Sequence, residues 1–167
     1  IEKLDIKQSL MKKLEAIVRP ECILASNTSS LSITEIAAEC QRPDRVAGYH
    51  FFNPVPLMKV VEVIQGLHTN GQIIDQLSEL ARTMGHRPVR TKDTPGFIIN
   101  HAGRAYGTEA LKILSENVAS VAEIDLILKK SLGFKMGPFE LLDLTGLDVS
   151  HPVMLSIYSQ YYQEPRY

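Results

Sequence analysis

The chain has 167 residues, 44% of them hydrophobic, which is enough to bury one sizeable core and a small second one. Eighteen basic and nineteen acidic side chains leave a formal net charge of -1, and no apolar run approaches the roughly 20 residues that cross a bilayer, so the composition favours neither nucleic acid nor a membrane as a partner. The two cysteines, Cys22 and Cys40, lack the spacing of metal ligands or of a disulfide framework, which predicts reduced thiols in a cytoplasmic protein without a metal site.

The first part of the chain alternates between helical and strand patterns. Residues 4–18 place apolar side chains at helical spacing with charges between them, and residues 22–26 form a short apolar run typical of a buried parallel strand. Ser32 is positioned to cap a helix over residues 33–39, with Glu35 three residues later as in a capping box. Helices and strands in this order predict βαβ units and therefore an α/β sheet.

Two further strands, residues 45–51 and 59–64, are separated by a link that contains Pro54 and Pro56. Proline cannot donate to a strand ladder and restricts the residue before it, so the first strand must end before the link. A parallel crossover needs a dozen or more residues, whereas this link has only about six. The sequence therefore predicts an antiparallel or laterally shifted pair.

The α/β pattern is completed by a helix over residues 71–85, with a glycine where a C-cap belongs, and by a strand over residues 87–90. Beyond the turn residues Thr94, Pro95 and Gly96 the pattern is helical only. The predicted helices cover residues 97–114, 120–131, 138–144 and 149–162. We therefore expect an α/β domain over residues 1–93 and an all-α domain over residues 94–167.

His50 and Glu62 are the candidate catalytic residues. His50 stands at a strand end followed by irregular backbone, which is where an open α/β sheet displays its chemistry. Glu62 is a single carboxylate in an apolar strand, and an ionised group there is costly unless it has a partner such as an imidazole. A lone histidine of this kind is more often structural, and a lone glutamate more often faces solvent, so the assignment depends on the combination.

Four motifs occur in order along the chain. They are residues 25–31 (ASNTSSL), residues 50–56 (HFFNPVP), Glu62 twelve positions after His50, and residues 94–100 (TPGFIIN). In this combination the chain resembles the L-3-hydroxyacyl-CoA dehydrogenases over nearly its whole length. The resemblance implies an incomplete Rossmann-like doubly wound sheet followed by an all-α helical domain. It also implies NAD-dependent oxidation of L-3-hydroxyacyl-CoA to 3-oxoacyl-CoA, in fatty acid or related acyl-CoA β-oxidation.

The resemblance also assigns catalytic roles. It implies that His50 is the general base in oxidation and the acid in reduction, with Glu62 fixing its tautomer and stabilising the imidazolium. Ser29 and Asn100 are implied to surround the substrate oxygen as it changes from hydroxyl to carbonyl, and Ser29 to touch the cofactor as well. The neighbouring hydroxyls are interpreted as turn or capping residues, namely Ser26, Thr28, Ser30 and Ser32.

The implied cofactor is NAD, and the residues implied to contact the dinucleotide are Glu2, Lys7, Ser29 and Asn53. The Gly-x-Gly-x-x-Gly turn with which the family holds the pyrophosphate does not occur in the sequence. The chain also begins at Ile1 rather than at a methionine. We therefore interpret it as a fragment that lacks the first half of its nucleotide domain, and we expect the isolated chain to be inactive.

The resemblance implies two partners, an acyl-CoA substrate and a second copy of the chain. In the family the helical domain forms the homodimer contact, and simple packing within the domain is the alternative here. Residues 101–103 (HAG) stand where many members of the family have an arginine and bulkier aliphatic residues. This departure puts the expected shape of the acyl pocket in doubt, but not the expected reaction.

Two other classes of protein stay open. A non-catalytic structural relative of the same fold would keep the core pattern but lose His50 or Glu62, and both are present. A related β-hydroxyacid dehydrogenase would use a lysine base in the first helix of the second domain, but the next lysine after Asn100 is Lys112. The remaining histidines are interpreted as surface or packing residues, namely His68, His86, His101 and His151.

Overall fold

The computed structural model describes residues 2–164 and divides into two compact units between Ile98 and Ile99. Ile1 and residues 165–167, the ends of the two predicted domains, lie outside the described residues. The predicted end of the α/β domain at residue 93 lies a few residues before the division.

The first unit is a mixed sheet with helices on both faces. Its elements are α1 (Leu4–Ile17), β1 (Leu24–Ser26), α2 (Ile33–Ala37), β2 (Val46–Phe51), β3 (Val60–Gln65), α3 (Gly71–Thr83) and β4 (Arg87–Lys92), with a short 3₁₀ turn at Pro43–Arg45 before β2. The strand order is β1-β2-β3-β4, so β4 lies at one end of the described sheet. The β1–β2 and β3–β4 pairs are parallel, while β2 and β3 are antiparallel. The predicted α/β class and the antiparallel pair around the two prolines are therefore confirmed.

Two apolar clusters flank this sheet. On one face α1 and α2 pack against the strands through Met11, Leu24, Ile33, Ile36, Ala37, Cys40, Val46, Ile64 and Phe97. On the other face α3 packs through Ala47, Tyr49, Val61, Val63, Ile74, Leu77 and Ala81. Successive residues of a strand point to opposite faces, which explains why neighbours such as Val46 and Ala47 belong to different clusters.

Asp93, just after β4, fixes the start of α2 against the sheet. Its carboxylate accepts the backbone N–H groups of Ile33 and Thr34 at 2.9 and 2.7 Å and the hydroxyls of Ser32 and Thr34 at 2.7 and 2.6 Å. Ser32 is the N-cap, as predicted, since its oxygen accepts the Glu35 N–H at 3.2 Å. A carboxylate at a helix N-terminus is favoured because it pairs with the unsatisfied amides of the first turn.

The second unit is helical, as predicted. It contains α4 (Ile99–Ala102), α5 (Arg104–Ser115), α6 (Val121–Leu132), α7 (Pro138–Thr145) and α8 (Leu147–Gln160). The prediction of one continuous helix over residues 97–114 is wrong, because the helix begins at Ile99 and is interrupted at Gly103. A Cβ at position 103 would lie 2.6 Å from the Ile99 carbonyl oxygen, so the backbone passes too close there for any other residue.

The loop before α7 is held by a buried carboxylate. Asp125 accepts the N–H groups of Phe139 and Glu140 at 3.0 and 3.1 Å, and a Cβ at Gly137 would lie 2.2 Å from the Asp125 carboxyl carbon. The Tyr106 hydroxyl donates to the Met136 carbonyl at 2.6 Å.

Within residues 2–164, the helices are too short or too polar to span a bilayer.

A substitution at Gly48, two residues before His50, tests how closely β2 is packed against β3 and α2. A Cβ there would lie 2.7 Å from the Ile64 Cβ and 2.8 Å from the Ile33 Cδ1. We expect Gly48→Ala to lower the free energy of unfolding by about 1–3 kcal/mol through overpacking. Chemical denaturation measures the change. Gly71→Ala is the matched control, because a Cβ at Gly71 meets nothing within 4 Å, and an equal loss in both variants would contradict the close packing at Gly48.

Candidate active site

A buried imidazole and a buried carboxylate face each other across β2 and β3. His50 and Glu62 are directly opposite in the antiparallel register. Their side chains meet with 2.7 Å between His50 Nδ1 and Glu62 Oε2. His50 is 5% exposed and Glu62 2% exposed, so water is largely excluded from the pair. A charge-assisted hydrogen bond of this length stabilises a charge that would be costly if it were buried alone.

Ser29 lies on the other side of the imidazole. It belongs to the turn that follows β1, and its Oγ is 3.2 Å from His50 Nε2. If Nδ1–H donates to the Glu62 carboxylate, Nε2 carries the lone pair and accepts the Ser29 hydroxyl. The basic nitrogen therefore points toward a half-buried hydroxyl, at the carboxyl end of parallel strand β1.

Two aromatic rings and one backbone amide also lie against the pair. The ring centroids of Phe52 and Phe97 lie 4.8 and 5.8 Å from that of His50. The Ile98 N–H donates to Glu62 Oε1 at 2.8 Å. Helical periodicity assigned Phe97 and Ile98 to a helix, so sequence reasoning missed these contacts. The Thr94-Pro95-Gly96 turn signal just before them was the only local sign that the backbone leaves the helical pattern here.

The turn that carries Ser29 is ordered by Glu2. Glu2 Oε1 accepts the Ser29 and Ser30 N–H groups at 2.8 and 3.1 Å and the Thr28 hydroxyl at 2.5 Å. Lys7 lies 3.6 Å from the other Glu2 oxygen and donates to the Asn27 carbonyl at 3.2 Å. Glu2 and Lys7, predicted to contact a dinucleotide, thus hold the Ser29 turn in this structure, and their role toward a cofactor stays a prediction.

The Glu2 carboxyl is held in its ionised form by these contacts. Burial by itself raises the pKa of Glu2, but the hydrogen bonds from Thr28, Ser29 and Ser30 and the ammonium of Lys7 together keep that pKa below its ordinary value of 4.5. The group therefore stabilises the turn at neutral pH and ceases to do so in acid.

Asn53 and Asn100 are the remaining predicted site residues. Asn53 lies two residues beyond β2 and is exposed. In the turn that carries Ser29, Asn27 Oδ1 accepts a hydrogen bond from the Phe51 N–H at 3.1 Å, which connects this turn to the end of β2. Asn100 lies in α4 of the second unit, so its place at the substrate oxygen stays a prediction.

The order hydroxyl, imidazole and carboxylate suits proton transfer, and it is shared by nucleophilic serine sites. A serine nucleophile also needs amide donors aimed at the developing oxyanion. The amides of Ser29 and Ser30 are directed at Glu2 instead. This arrangement favours acid-base chemistry at His50 Nε2 over nucleophilic attack by Ser29.

Two family models match the chain. Residues 1–94 match the model described as 3-hydroxyacyl-CoA dehydrogenase, NAD binding domain, and residues 96–167 match the C-terminal domain of the same family. The matches together run through both units.

Curated relatives and solved structures agree with these models. The chain is 48% identical over 166 residues to a 3-hydroxyadipyl-CoA dehydrogenase of Escherichia coli, covering 99% of this chain and 35% of that protein. It is 46% identical over 150 residues to the human mitochondrial hydroxyacyl-coenzyme A dehydrogenase, covering 90% of this chain and 48% of that one. A crystal structure of an E. coli 3-hydroxybutyryl-CoA dehydrogenase superposes with a TM-score of 0.95 at 48% identity, over 98% of this chain and 35% of that chain. The chain thus spans about a third to a half of the length of these relatives.

Protonation of Glu2 gives a pH-dependent prediction. Because the folded pKa lies below 4.5, the stabilisation by Glu2 is complete above that pH and is lost as the pH falls through the folded value. We expect the Ser29 and Ser30 amide proton shifts to titrate with a midpoint below 4.5, and the titration to vanish in Glu2→Gln. NMR spectra recorded against pH make the measurement. Glu21→Gln, at an exposed position, is the control, and a titration that persists without Glu2 would contradict the assignment.

Proposed function

The chain belongs to the 3-hydroxyacyl-CoA dehydrogenase family, and on this basis we propose that it serves NAD-dependent oxidation of L-3-hydroxyacyl-CoA to 3-oxoacyl-CoA. The observation that carries the proposal is the buried His50–Glu62 pair. His50 Nδ1 contacts Glu62, and His50 Nε2 faces the Ser29 hydroxyl. Fatty acid or related acyl-CoA β-oxidation is the setting that matches this reaction.

The residues present fit one end of the cofactor. Ser29 and Asn53 offer polar side chains just beyond the ends of β1 and β2, and Lys7 adds a cation beside the same turn. Open α/β sheets bind dinucleotides beyond the carboxyl ends of their strands. Ser29, Asn53, Lys7 and Glu2 are the groups that would hold the dinucleotide, and NAD would supply the acceptor for the hydride.

The protein residues handle the proton. His50 Nε2 takes the proton of the 3-hydroxyl as the hydride leaves the same carbon, and Glu62 stabilises the resulting imidazolium through Nδ1. In our proposal the Ser29 hydroxyl, whose Oγ lies 3.2 Å from His50 Nε2, hydrogen bonds the substrate oxygen when Nε2 takes the substrate proton. Asn100 is the further group proposed to hydrogen bond that oxygen.

A non-catalytic relative of the same fold is the alternative. In such a protein a buried imidazole and carboxylate would not be needed for stability, because replacing a buried ionic pair with apolar residues is often neutral or stabilising. The hydrogen bonding of both Glu62 oxygens therefore supports the enzymatic proposal.

In our proposal, turnover also requires a pyrophosphate-binding turn that these 167 residues do not contain. The pyrophosphate of a dinucleotide is usually held by a glycine-rich turn at a helix N-terminus, and the sequence contains no Gly-x-Gly-x-x-Gly turn. We expect the isolated chain to leave NADH unoxidised in the presence of acetoacetyl-CoA.

The catalytic role of His50 can be tested in a chimera. This chain replaces the matching 166 residues of the E. coli 3-hydroxyadipyl-CoA dehydrogenase, and acetoacetyl-CoA-dependent loss of NADH absorbance is followed. We expect His50→Gln to lower kcat by about 10²- to 10⁴-fold, because the positioned proton donor is removed. Glu62→Gln should lower kcat by less, with KM little changed.

The exposed His68 gives the matched control for this assay. His68→Gln should leave the rate of the chimera unchanged. Equal rates for His50→Gln and the parent chimera would remove His50 from the mechanism, whatever the rate of the isolated chain.

We also propose that the helical unit pairs with a second copy of the chain. Leu144 and Leu147, on either side of the α7–α8 junction, are 70% and 64% exposed. Leu126, Leu132, Leu141 and Leu155 are exposed on the same unit. Large exposed apolar side chains in such number are typical of a surface that a partner covers.

Sedimentation of the chain at several concentrations tests the dimer. We expect the parent to be dimeric and the double variant Leu144→Lys/Leu147→Lys to be monomeric, because two ammonium groups would be buried in the contact. Ser131→Lys, which adds a charge at another exposed position, should stay dimeric. A parent that sediments as a monomer throughout would contradict the proposal.

A further inference from the structure

The turn between β4 and the second unit folds back over the His50–Glu62 pair. Gly96 and Phe97 both adopt left-handed backbone conformations, with φ of +74° and +50°. The Phe97 N–H donates to the Thr94 carbonyl at 2.9 Å, which closes the turn. A positive φ is routine for glycine but unfavourable for a bulky residue, so the conformation of Phe97 must be stabilised by its surroundings.

Burial of the Phe97 ring and the hydrogen bond of the next amide support this conformation within the first unit. The Phe97 ring is 3% exposed and belongs to the apolar cluster on the α1–α2 face of the sheet. The next amide, that of Ile98, points at Glu62 and donates to Oε1 at 2.8 Å. Phe97 immediately precedes the Ile98 peptide, so its left-handed backbone conformation helps to set the direction in which the Ile98 N–H points.

The hydrogen bond from the Ile98 amide contributes to the orientation of the Glu62 carboxylate. Oε1 is bound to the Ile98 amide, and Oε2 is left to face His50 Nδ1 at 2.7 Å. Rotation of the carboxylate about its last bond would break both contacts together. A carboxylate held in this way accepts a hydrogen bond from Nδ1–H and so favours the tautomer in which Nε2 is unprotonated.

We propose that Phe97 is a positioning residue of the active site, which acts through the Ile98 amide on Glu62 and through Glu62 on the tautomer of His50. The assignment rests on the proposed function for the catalytic meaning of that tautomer. The positioning itself is a property of the protein without substrate, so it can be measured without turnover.

The test compares two substitutions in the full chain labelled with ¹⁵N. Phe97→Gly removes the ring but allows the left-handed backbone, whereas Phe97→Val keeps an apolar side chain but strongly disfavours it. Long-range ¹H–¹⁵N spectra of the histidine rings report which nitrogen of His50 carries the proton. We expect the parent and Phe97→Gly to show the Nδ1–H tautomer alone, and Phe97→Val to show a mixture of both tautomers.

Hydrogen exchange at Ile98 gives the second readout. We expect the Ile98 amide to exchange faster in Phe97→Val than in Phe97→Gly, by at least on the order of tenfold, because only the valine variant loses the bond to the carboxylate. A single tautomer and slow Ile98 exchange in Phe97→Val would overturn the proposal. Equal disturbance in both variants would also overturn it, because the ring rather than the backbone would then position the pair.

A third measurement needs no substitution and covers the case in which a variant fails to fold. In the parent chain, the Ile98 amide should exchange slowly with solvent, because it donates to the buried Glu62 carboxylate. An Ile98 amide that exchanges as fast as an exposed amide would overturn the proposal. None of these readouts depends on hydride transfer, so their failure would leave the proposed reaction untouched. Failure of the His50→Gln assay would in turn leave the positioning intact.

Discussion

The burial of one carboxylate opposite one imidazole is the constraint on which the first unit depends. Two groups that can carry charge are placed in a nearly dry interior, where an unpaired charge would be costly. The antiparallel register of β2 and β3 sets them side by side, and each of the two Glu62 oxygens is given a donor. The geometry of the His50–Glu62 pair therefore follows from the requirement that a buried carboxylate have hydrogen-bond donors.

The rest of the unit can be understood as support for that register. Gly48 allows α2 to approach the sheet closely two residues before His50, and Asp93 fixes the N-terminus of α2 to the end of β4. Glu2 orders the turn that brings Ser29 to the imidazole. These contacts join residues far apart in sequence, so the position of the pair depends on several separate hydrogen bonds and not on the two strands alone.

The features that arise from local chemistry could be predicted from the sequence. The two prolines and the short link required strands that are not parallel, and the periodicity found every helix of the second unit, although one of them is interrupted. The juxtaposition of His50 and Glu62 was expected from an apolar strand that carries one acid together with the resemblance of the four motifs to the dehydrogenase family. The roles of Phe97, Ile98 and Asp93 could not be found in this way, because a backbone amide or a capping carboxylate leaves no periodic signal. Gly103 was missed for a related reason, since only the folded backbone reveals the close approach of the Ile99 carbonyl.

The end of the sheet at β4 has a consequence for association between molecules. Pro88 lies within this strand and has no amide to donate, and Arg87, Arg90 and Lys92 place cationic side chains along it, with Arg90 drawn to Asp75 of α3 at 2.6 Å. Proline and like charges on a terminal strand discourage another chain from adding its own strand there. Within the described sheet, the sequence of β4 therefore disfavours the addition of a strand from another molecule.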